Sequence, residues 1–186
     1  MGECKGEMQG MGYGGAMSGN EKRSVGEYAG EKLVPVTASM SSVHIEDNSA
    51  DQCLMEWFQC ITQTETTPWL VLDYGSEVQV DSVVLHVPSS TWAHRTRNVN
   101  IWVSSNPPVS NSELFTGGQL LGMFEGPATG EEGIEVKSDT ELTGRYVVVQ
   151  MDFSLKADNL MLKQVTAFGQ GRIYIYERLS YRLDFE

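Results

Sequence analysis

Residues 89–97 gather the side chains of this sequence that best suit ligand binding. Trp92 supplies an aromatic face, His94 an imidazole, and Arg95 and Arg97 supply guanidinium groups, in a chain whose net charge is −12. An aromatic ring packs on the apolar C–H face of a sugar, while arginine and histidine hydrogen-bond its hydroxyls. Arginine also makes bidentate contacts with carboxylate or sulfate. The segment predicts a carbohydrate site in which Arg95 is the main donor and Trp92 the stacking surface.

A structural interpretation of the same residues stays open. In it, Arg95 and Arg97 pair with surface carboxylates and Trp92 packs on the domain. No catalytic motif accompanies the segment, because the chain has no Gly-x-Ser-x-Gly elbow, glycine-rich phosphate loop or Cys/His set with zinc spacing. The histidines are scattered, and His86 falls within an apolar run, where a structural role is expected. We therefore expect no enzyme.

Short apolar runs on both sides of this segment indicate the elements that position it. Residues 69–72 and 82–87 precede it, and residues 99–103 follow with apolar side chains at every second position. Further runs at 120–124, 134–136 and 146–151 have the spacing of an antiparallel sandwich. The sequence predicts an all-β, jelly-roll-like β-sandwich of about eight strands. Its predicted core contains Trp69, Leu70, Leu72, Val83, Leu85, Val99, Ile101, Tyr146, Val148 and Leu162.

The distribution of glycine and apolar residues divides the chain into three parts. Residues 1–32 form a glycine-rich segment without an apolar period, which predicts a flexible arm. The sandwich is predicted over 33–169, beginning with an edge strand at 34–36, where Pro35 is tolerated, and a serine-rich turn. Residues 170–186 predict an extra C-terminal strand, which pairs either within its own domain or with a neighbouring subunit, giving a homo-oligomer or filament. Its apolar face carries Ile173, Ile175, Leu179, Tyr181, Leu183 and Phe185.

The net charge and the cysteines limit which partners and which cellular compartment are expected. The net charge of −12 argues against binding to nucleic acid or anionic membranes, and no apolar run is long enough for membrane insertion. The first 30 residues show no apolar signal-peptide core. Cys53 and Cys60 are spaced for a small disulfide loop, but two reduced thiols are equally compatible with the sequence, and Cys4 is left over for a cross-link or as a free thiol.

Two sequence blocks resemble a known family. Residues 67–75 read Thr-Pro-Trp-Leu-Val-Leu-Asp-Tyr-Gly, and residues 144–151 read Gly-Arg-Tyr-Val-Val-Val-Gln-Met. With the arginine- and asparagine-rich stretch 95–101 and the closing stretch 160–169, they follow the order seen in discoidin-like, galactose-binding-like domains. The chain is most similar to the F-type lectins, or fucolectins, over roughly 36–169. The resemblance implies a lectin-like β-sandwich.

The resemblance also suggests which site residues are kept. Arg95 matches a sugar-binding arginine of the fucolectins, whereas their Arg-x-Asp unit falls at 88–90 and their histidine falls at Thr62. We therefore expect fucose to bind weakly or not at all. Asp51 matches the aspartate of the family's calcium loop, and Gln164 stands in place of a glutamate. This implies a calcium site of reduced affinity, since one carboxylate is lost.

Three functions follow from these expectations. The chain is a carbohydrate-binding module with a glycan partner, a structural protein that assembles with copies of itself, or an intracellular protein-interaction module without sugar binding, as some discoidin-like domains are. The lectin resemblance favours an extracellular location, with a cytoplasmic or ciliary one as the alternative. In each case the domain binds and does not catalyse.

Overall fold

The structure of the chain, a computed structural model, describes residues 30–56, 58–88, 90–108, 115–130, 133–153 and 155–171. Cys4, most of the predicted N-terminal arm and the predicted strand at 172–186 lie outside these residues. Two 3₁₀ helices, Glu46–Asn48 and Ala50–Leu54, and the short helix α1, Ser90–Ala93, accompany the strands. The strands are β1 (Glu31–Leu33), β2 (Thr37–Met40), β3 (Cys60–Ile61), β4 (Trp69–His86), β5 (Val99–Ser104), β6 (Gln119–Phe124), β7 (Gly133–Met151), β8 (Met161–Leu162) and β9 (Gln164–Gln170).

The predicted antiparallel β-sandwich is confirmed. Hydrogen bonds join the main strands in the order β1-β9-β4-β7-β5-β6, β2 pairs with β4, and β3 pairs with β8. In one layer Val149 of β7 is the partner of both Leu70 and Ile101, and in the other Val83 of β4 pairs with Val136. The strands β4 and β7 thus take part in both layers. Within the described residues, no helix has the length and hydropathy needed to span a membrane.

The length of β4 and β7 was not predicted. Residues 69–72 and 82–87 were expected as separate strands, but 69–72 and 82–86 belong to the one strand β4, which ends at His86. Residues 134–136 and 146–151 likewise both belong to β7. The pairing of β4 with β7 shifts register between Asp73 and Val78 and again between Val80 and Ser82. A bulge turns the following side chains to the other face, so an interrupted apolar pattern can belong to one continuous strand.

Asp73 holds the irregular part of β4 to β7. Its Oδ1 accepts hydrogen bonds from Gly75 N and Arg145 Nε, both at 2.7 Å, and its Oδ2 accepts one from Arg145 Nη2 at 2.8 Å. The hydrogen-bonded Arg145 guanidinium holds the pKa of the Asp73 carboxyl below its usual range. Gly75 has a φ of 73°, a left-handed conformation that glycine adopts without strain. These contacts fix the bulged stretch.

Most of the predicted core is buried, but not all in one place. Leu70 and Leu72 face the main core between the layers, whereas Trp69 and Val71 alternate with them and face outward. Trp69, Val71 and Val148 form a second group, the outer cluster, against which the half-buried Trp102, Phe115 and Tyr146 pack. The prediction of Tyr146 as a core residue was wrong, because its side chain is only half-buried against this outer cluster. The remaining predicted residues are buried in the main core, namely Leu70, Leu72, Val83, Leu85, Val99, Ile101 and Leu162.

The N-terminal edge differs from the prediction. Residues 34–36 are not in a strand, since β1 ends at Leu33 and β2 begins at Thr37. The side chains of Val34 and Val36 are 77% and 64% exposed. Pro35 has no amide hydrogen to donate, which explains why the ladder stops beside it. The chain resumes pairing when Val36 N donates to Asp73 O at 2.7 Å.

Cys53 and Cys60 form a disulfide, with their Cα atoms 5.2 Å apart. Both residues are fully buried and belong to the main core. Cys53 lies in the second 3₁₀ helix and Cys60 begins β3. The bridge therefore ties the loop after β2 to the small β3–β8 sheet.

Candidate functional site

Residues 90–97 lie between β4 and β5 at one end of the sandwich. The predicted loop contains the single-turn helix α1, and Arg95 N and Thr96 N donate to the carbonyls of Trp92 and Ala93 at 3.0 and 2.9 Å. Ala93 is fully buried in a small apolar group with Val87 and Ala128. The short helix is thereby anchored, and the residues after it have a defined position.

Other loops meet this segment at the same end. Asp152, which follows β7, donates its amide to Asn98 O at 2.9 Å, and Asn98 Nδ2 donates to Asp152 O at 3.2 Å. Ala128 N donates to Thr96 O at 3.0 Å, which attaches the loop after β6. A β-bridge between Glu65 and Asp158 adds the loop after β3. Three loops therefore converge on the segment that carries the arginines.

A cleft of about 630 Å³ lies where these loops meet. Three of the four residues predicted from the sequence line it, namely His94, Arg95 and Arg97. Trp92 does not line the cleft. The Cζ atom of Arg95 lies 4.8 Å from the centroid of the Trp92 ring, and Trp92 is 44% exposed. The other lining residues are Thr64, Pro127, Lys156, Ala157, Asp158 and Asn159.

Asp158 organises the two guanidinium groups. Its Oδ2 lies 3.1 Å from Arg97 Nη2, and its Oδ1 lies 3.5 Å from Arg95 Nη1. The Cζ atom of Arg97 also lies 4.8 Å from the ring centroid of the buried Phe153. Pairing of both arginines with a carboxylate, an interpretation that the sequence left open, is what the structure shows. Since all three side chains are partly exposed, these ion pairs contribute orientation more than stability.

A buried polar network supports Arg95 from behind. Arg95 Nη1 donates to Asn159 Oδ1 at 3.0 Å, and Asn159 Nδ2 donates to Thr62 O at 2.7 Å. Thr62 is fully buried, and its Oγ1 accepts from Leu160 N at 2.9 Å. The Thr62 hydroxyl also donates to Gln63 O at 2.8 Å, so it is committed to this network. Asn159 therefore positions Arg95, and Thr62 is not available to a ligand.

Several hydrogen-bond donors in the cleft have no partner among the described residues. Arg95 donates hydrogen bonds through Nη1. Arg97 donates through Nη1, to His94 O at 3.3 Å, and through Nη2, to Asp158. Among the hydrogen bonds and ion pairs of the described residues, none involves Arg95 Nε, Arg95 Nη2 or the ammonium of Lys156. These groups can receive acceptors from a ligand.

Sequence reasoning missed Asp158, Asn159 and Lys156. Asp158 is 61 residues from Arg97, and Asn159 is 64 residues from Arg95. The only local signal is a polar stretch, 156–159, before the apolar residues of β8. A signal of that kind is typical of any surface turn.

Gly126 makes the close approach of the loops possible. It has a φ of 70°, and a Cβ atom there would lie 2.8 Å from both Arg97 Cα and Thr96 O. Because both atoms belong to the backbone, we expect Gly126→Ala to cost more than about 1 kcal/mol of unfolding free energy and to shift the Arg97 amide resonance. Gly130→Ala is the matched control, since nothing lies within 4 Å of its added methyl group. Equal urea midpoints for the two variants would contradict this account.

The predicted calcium ligands offer little by themselves. Asp51 lies on the second 3₁₀ helix, which packs against β9, the strand that carries Gln164. The described residues contain no group of three or more His, Cys, Asp or Glu side chains suited to a metal. One carboxylate and one amide do not fit the roughly six to eight oxygen ligands of calcium. Calcium binding stays a prediction, and nothing below depends on it.

Comparison by sequence identifies a family. A family model described as NedA-like, galactose-binding domain matches residues 46–149. This range contains β3 to β6 and nearly all of β7, together with the arginines of the cleft. Comparison with curated proteins gives no match.

Solved structures show the same fold. A fucolectin from striped bass serum is 19% identical, with a TM-score of 0.60 over 72% of this chain and 46% of that chain. Chitosan-binding module 1 of a Paenibacillus chitosanase/glucanase is 17% identical, with a TM-score of 0.56 over 74% of this chain and 97% of the module. A Streptococcus pneumoniae fucose binding module is 14% identical, with a TM-score of 0.56 over 76% and 96%. This chain spans less than half of the fucolectin and nearly all of the two modules.

Proposed function

Because the chain belongs to the family of NedA-like, galactose-binding domains, we propose that it is a non-catalytic carbohydrate-binding module. The cleft at 94–97 and 156–159 is its binding site. The observation that carries the proposal is the Arg95 guanidinium beside the cleft. It is fixed by Asn159 and Asp158, yet its Nε and Nη2 groups have no partner in the part of the chain that the structure describes. Preorganised donors bind hydroxyl groups with little ordering cost.

The other residues have distinct proposed roles. Arg97 is held by Asp158 and Phe153 and borders the same cleft, and Lys156 and His94 complete its polar wall. Trp92 lies beside the cleft, so it would stack on a ligand that extends past Arg95 rather than on a sugar inside it. Fucose should bind weakly, because the buried Thr62 does not replace the missing histidine.

The proposal is tested by ligand titration followed by ¹H–¹⁵N NMR. Galactose, fucose, chitosan oligosaccharides and galacturonic acid serve as probes. We expect at least one of them to shift the amides of residues 94–97 and 156–159. Shifts confined to the opposite end of the sandwich, near Gly75 and Tyr146, would contradict the proposed site. The absence of any shift with all four probes would exclude these four saccharides as ligands of the cleft.

We also propose that the chain associates with copies of itself. Burying four side chains from the apolar face of 172–186 would contribute a stabilising free energy on the order of 6–10 kcal/mol, before the cost of ordering the segment is subtracted. Among the described strands, β6 ends the sheet order and pairs on one side only, and its Leu120 and Met123 are 48% and 56% exposed. An exposed edge of this kind accepts a strand from another chain.

Deletion of residues 172–186 tests the association. Analytical ultracentrifugation at rising concentration should show oligomers of the full chain and monomers of the shortened one. A full chain that stays monomeric at high concentration, with 172–186 protected from hydrogen exchange, would show that the segment serves its own fold.

An extracellular location is the third part of the proposal. A disulfide between Cys53 and Cys60 persists in oxidising compartments and is rare in the cytosol. Thiol labelling of the protein from its native cells should leave both cysteines unmodified. Labelled Cys53 and Cys60 would instead favour the intracellular protein-interaction module.

A further inference from the structure

The cleft is a cationic site on an acidic protein. Arg95, Arg97 and Lys156 line it, and Asp158 is the only carboxylate among the described residues of its lining, whereas the whole chain has a net charge of −12. Asp158 contacts both arginines and compensates one charge. The exposed Lys156 ammonium adds a charge without an ion pair among the described residues. The described lining residues therefore carry three positive charges and one negative charge, a surplus of two.

The free edge of Arg95 has the geometry that binds oxyanions. Its engaged atom is Nη1, which leaves Nε and Nη2 on the opposite edge. The same Nε and Nη2 edge of Arg145 holds both oxygens of Asp73 at 2.7 and 2.8 Å elsewhere in this protein. A guanidinium edge matches the two oxygens of a carboxylate or sulfate and forms two parallel hydrogen bonds.

We infer that the cleft selects saccharides that carry a carboxylate or sulfate group. The acidic group binds the Nε and Nη2 edge of Arg95, Lys156 contributes electrostatic attraction, and neighbouring hydroxyls bind Arg97. A neutral sugar offers these cationic groups only hydroxyl acceptors, whose hydrogen bonds are weaker than those of an ionised acceptor. This inference rests on the proposed carbohydrate-binding function and adds the class of ligand.

The test uses an array of uronate-, sialate- and sulfate-bearing oligosaccharides, each printed beside its methyl-esterified or desulfated counterpart. We expect the acidic member of at least one pair to bind about tenfold more tightly than the neutral one, as charge-assisted hydrogen bonds predict. The esterified and desulfated pairs separate carboxylate from sulfate recognition. Raising NaCl from about 0.1 M to about 1 M, which shortens the Debye length from about 10 Å to about 3 Å, should reduce this preference.

Lys156→Gln and Lys137→Gln form a matched pair of variants. Both remove one exposed lysine charge, but Lys137 lies on β7 outside the cleft lining. We expect Lys156→Gln to weaken binding of the acidic oligosaccharide about threefold to tenfold, and Lys137→Gln to leave it unchanged. Equal losses would show a general charge effect and overturn the inference.

The remaining outcomes separate the two proposals. If neutral and acidic members bind equally, selection for an acidic group is wrong while carbohydrate binding stands. If no oligosaccharide binds, both are wrong. If polyglutamate binds as tightly as the acidic oligosaccharides, the cleft recognises negative charge and not a saccharide, which also overturns the inference.

Discussion

Replacing Trp69 with alanine is expected to lower the free energy of unfolding by about 3–5 kcal/mol, the usual cost of removing a buried large aromatic side chain. Trp69 is only 8% exposed and packs with Val71 and Val148 in the outer cluster. The free energy of unfolding of a domain of this size is about 5–15 kcal/mol, so the variant loses a large share of its stability. The loss arises from buried area and from the cavity left behind. It should appear in urea denaturation as a lower midpoint with an unchanged slope.

Trp92→Ala is the matched control for this experiment. Trp92 is 44% exposed and contacts Arg95 at the surface, so its removal should change stability by about 0.5 kcal/mol or less. Circular dichroism should be the probe, because both variants lose a fluorescent tryptophan. A loss below about 1 kcal/mol for Trp69→Ala would show that the outer cluster is not closed to water.

Replacing Arg95 with alanine is expected to weaken saccharide binding by about 1.5–3 kcal/mol, or roughly tenfold to hundredfold. The change removes the donor that Asn159 and Asp158 orient toward the cleft. It should cost less stability than Trp69→Ala, because Arg95 is partly exposed and Asp158 keeps its contact with Arg97. Isothermal titration calorimetry with the strongest oligosaccharide ligand measures the effect.

Arg145→Ala controls for the loss of an arginine from an ion pair. Arg145 is also bound to a carboxylate, that of Asp73, but it lies at the far end of the β5–β7 pair, where Tyr146 pairs with Ser104. The cleft lies at the other end, where Met151 pairs with Val99. Arg145→Ala should leave saccharide affinity unchanged. Unchanged affinity of the Arg95 variant would show that the ligand binds elsewhere.

The strands and most of the core could be predicted because their signals are local. Side chains alternate between two faces along a strand, so Val99, Ile101 and Val103 had to share the buried face of β5, and all three are fully buried. The position of Arg95 and Arg97 just before β5 placed them at an end of the sandwich. The resemblance to galactose-binding-like domains was carried by such strand motifs and is confirmed by the family match.

The partners of the arginines could not be predicted in this way. Asp158 and Asn159 meet Arg95 and Arg97 only because the loops after β3, β6 and β7 end at the same edge of the sandwich. The sequence also left open whether Cys53 and Cys60 are bonded. Trp92 was expected to form part of the site, but the one-turn helix α1 places it beside the cleft.

The sequence by itself determined which residues alternate in strands, where donors accumulate and that the chain is acidic. Only the tertiary structure decided that Trp69 packs outside the main core, that β4 and β7 are continuous, and that Asp158 lies between two arginines. The physical reason is the distance along the sequence over which each kind of interaction acts. Side-chain alternation and turn preference act over a few residues. Strand register, layer packing and loop convergence depend on contacts between residues far apart in the sequence, such as His86 with Gly133 in the sheet and Arg97 with Asp158, 61 positions apart, in the cleft.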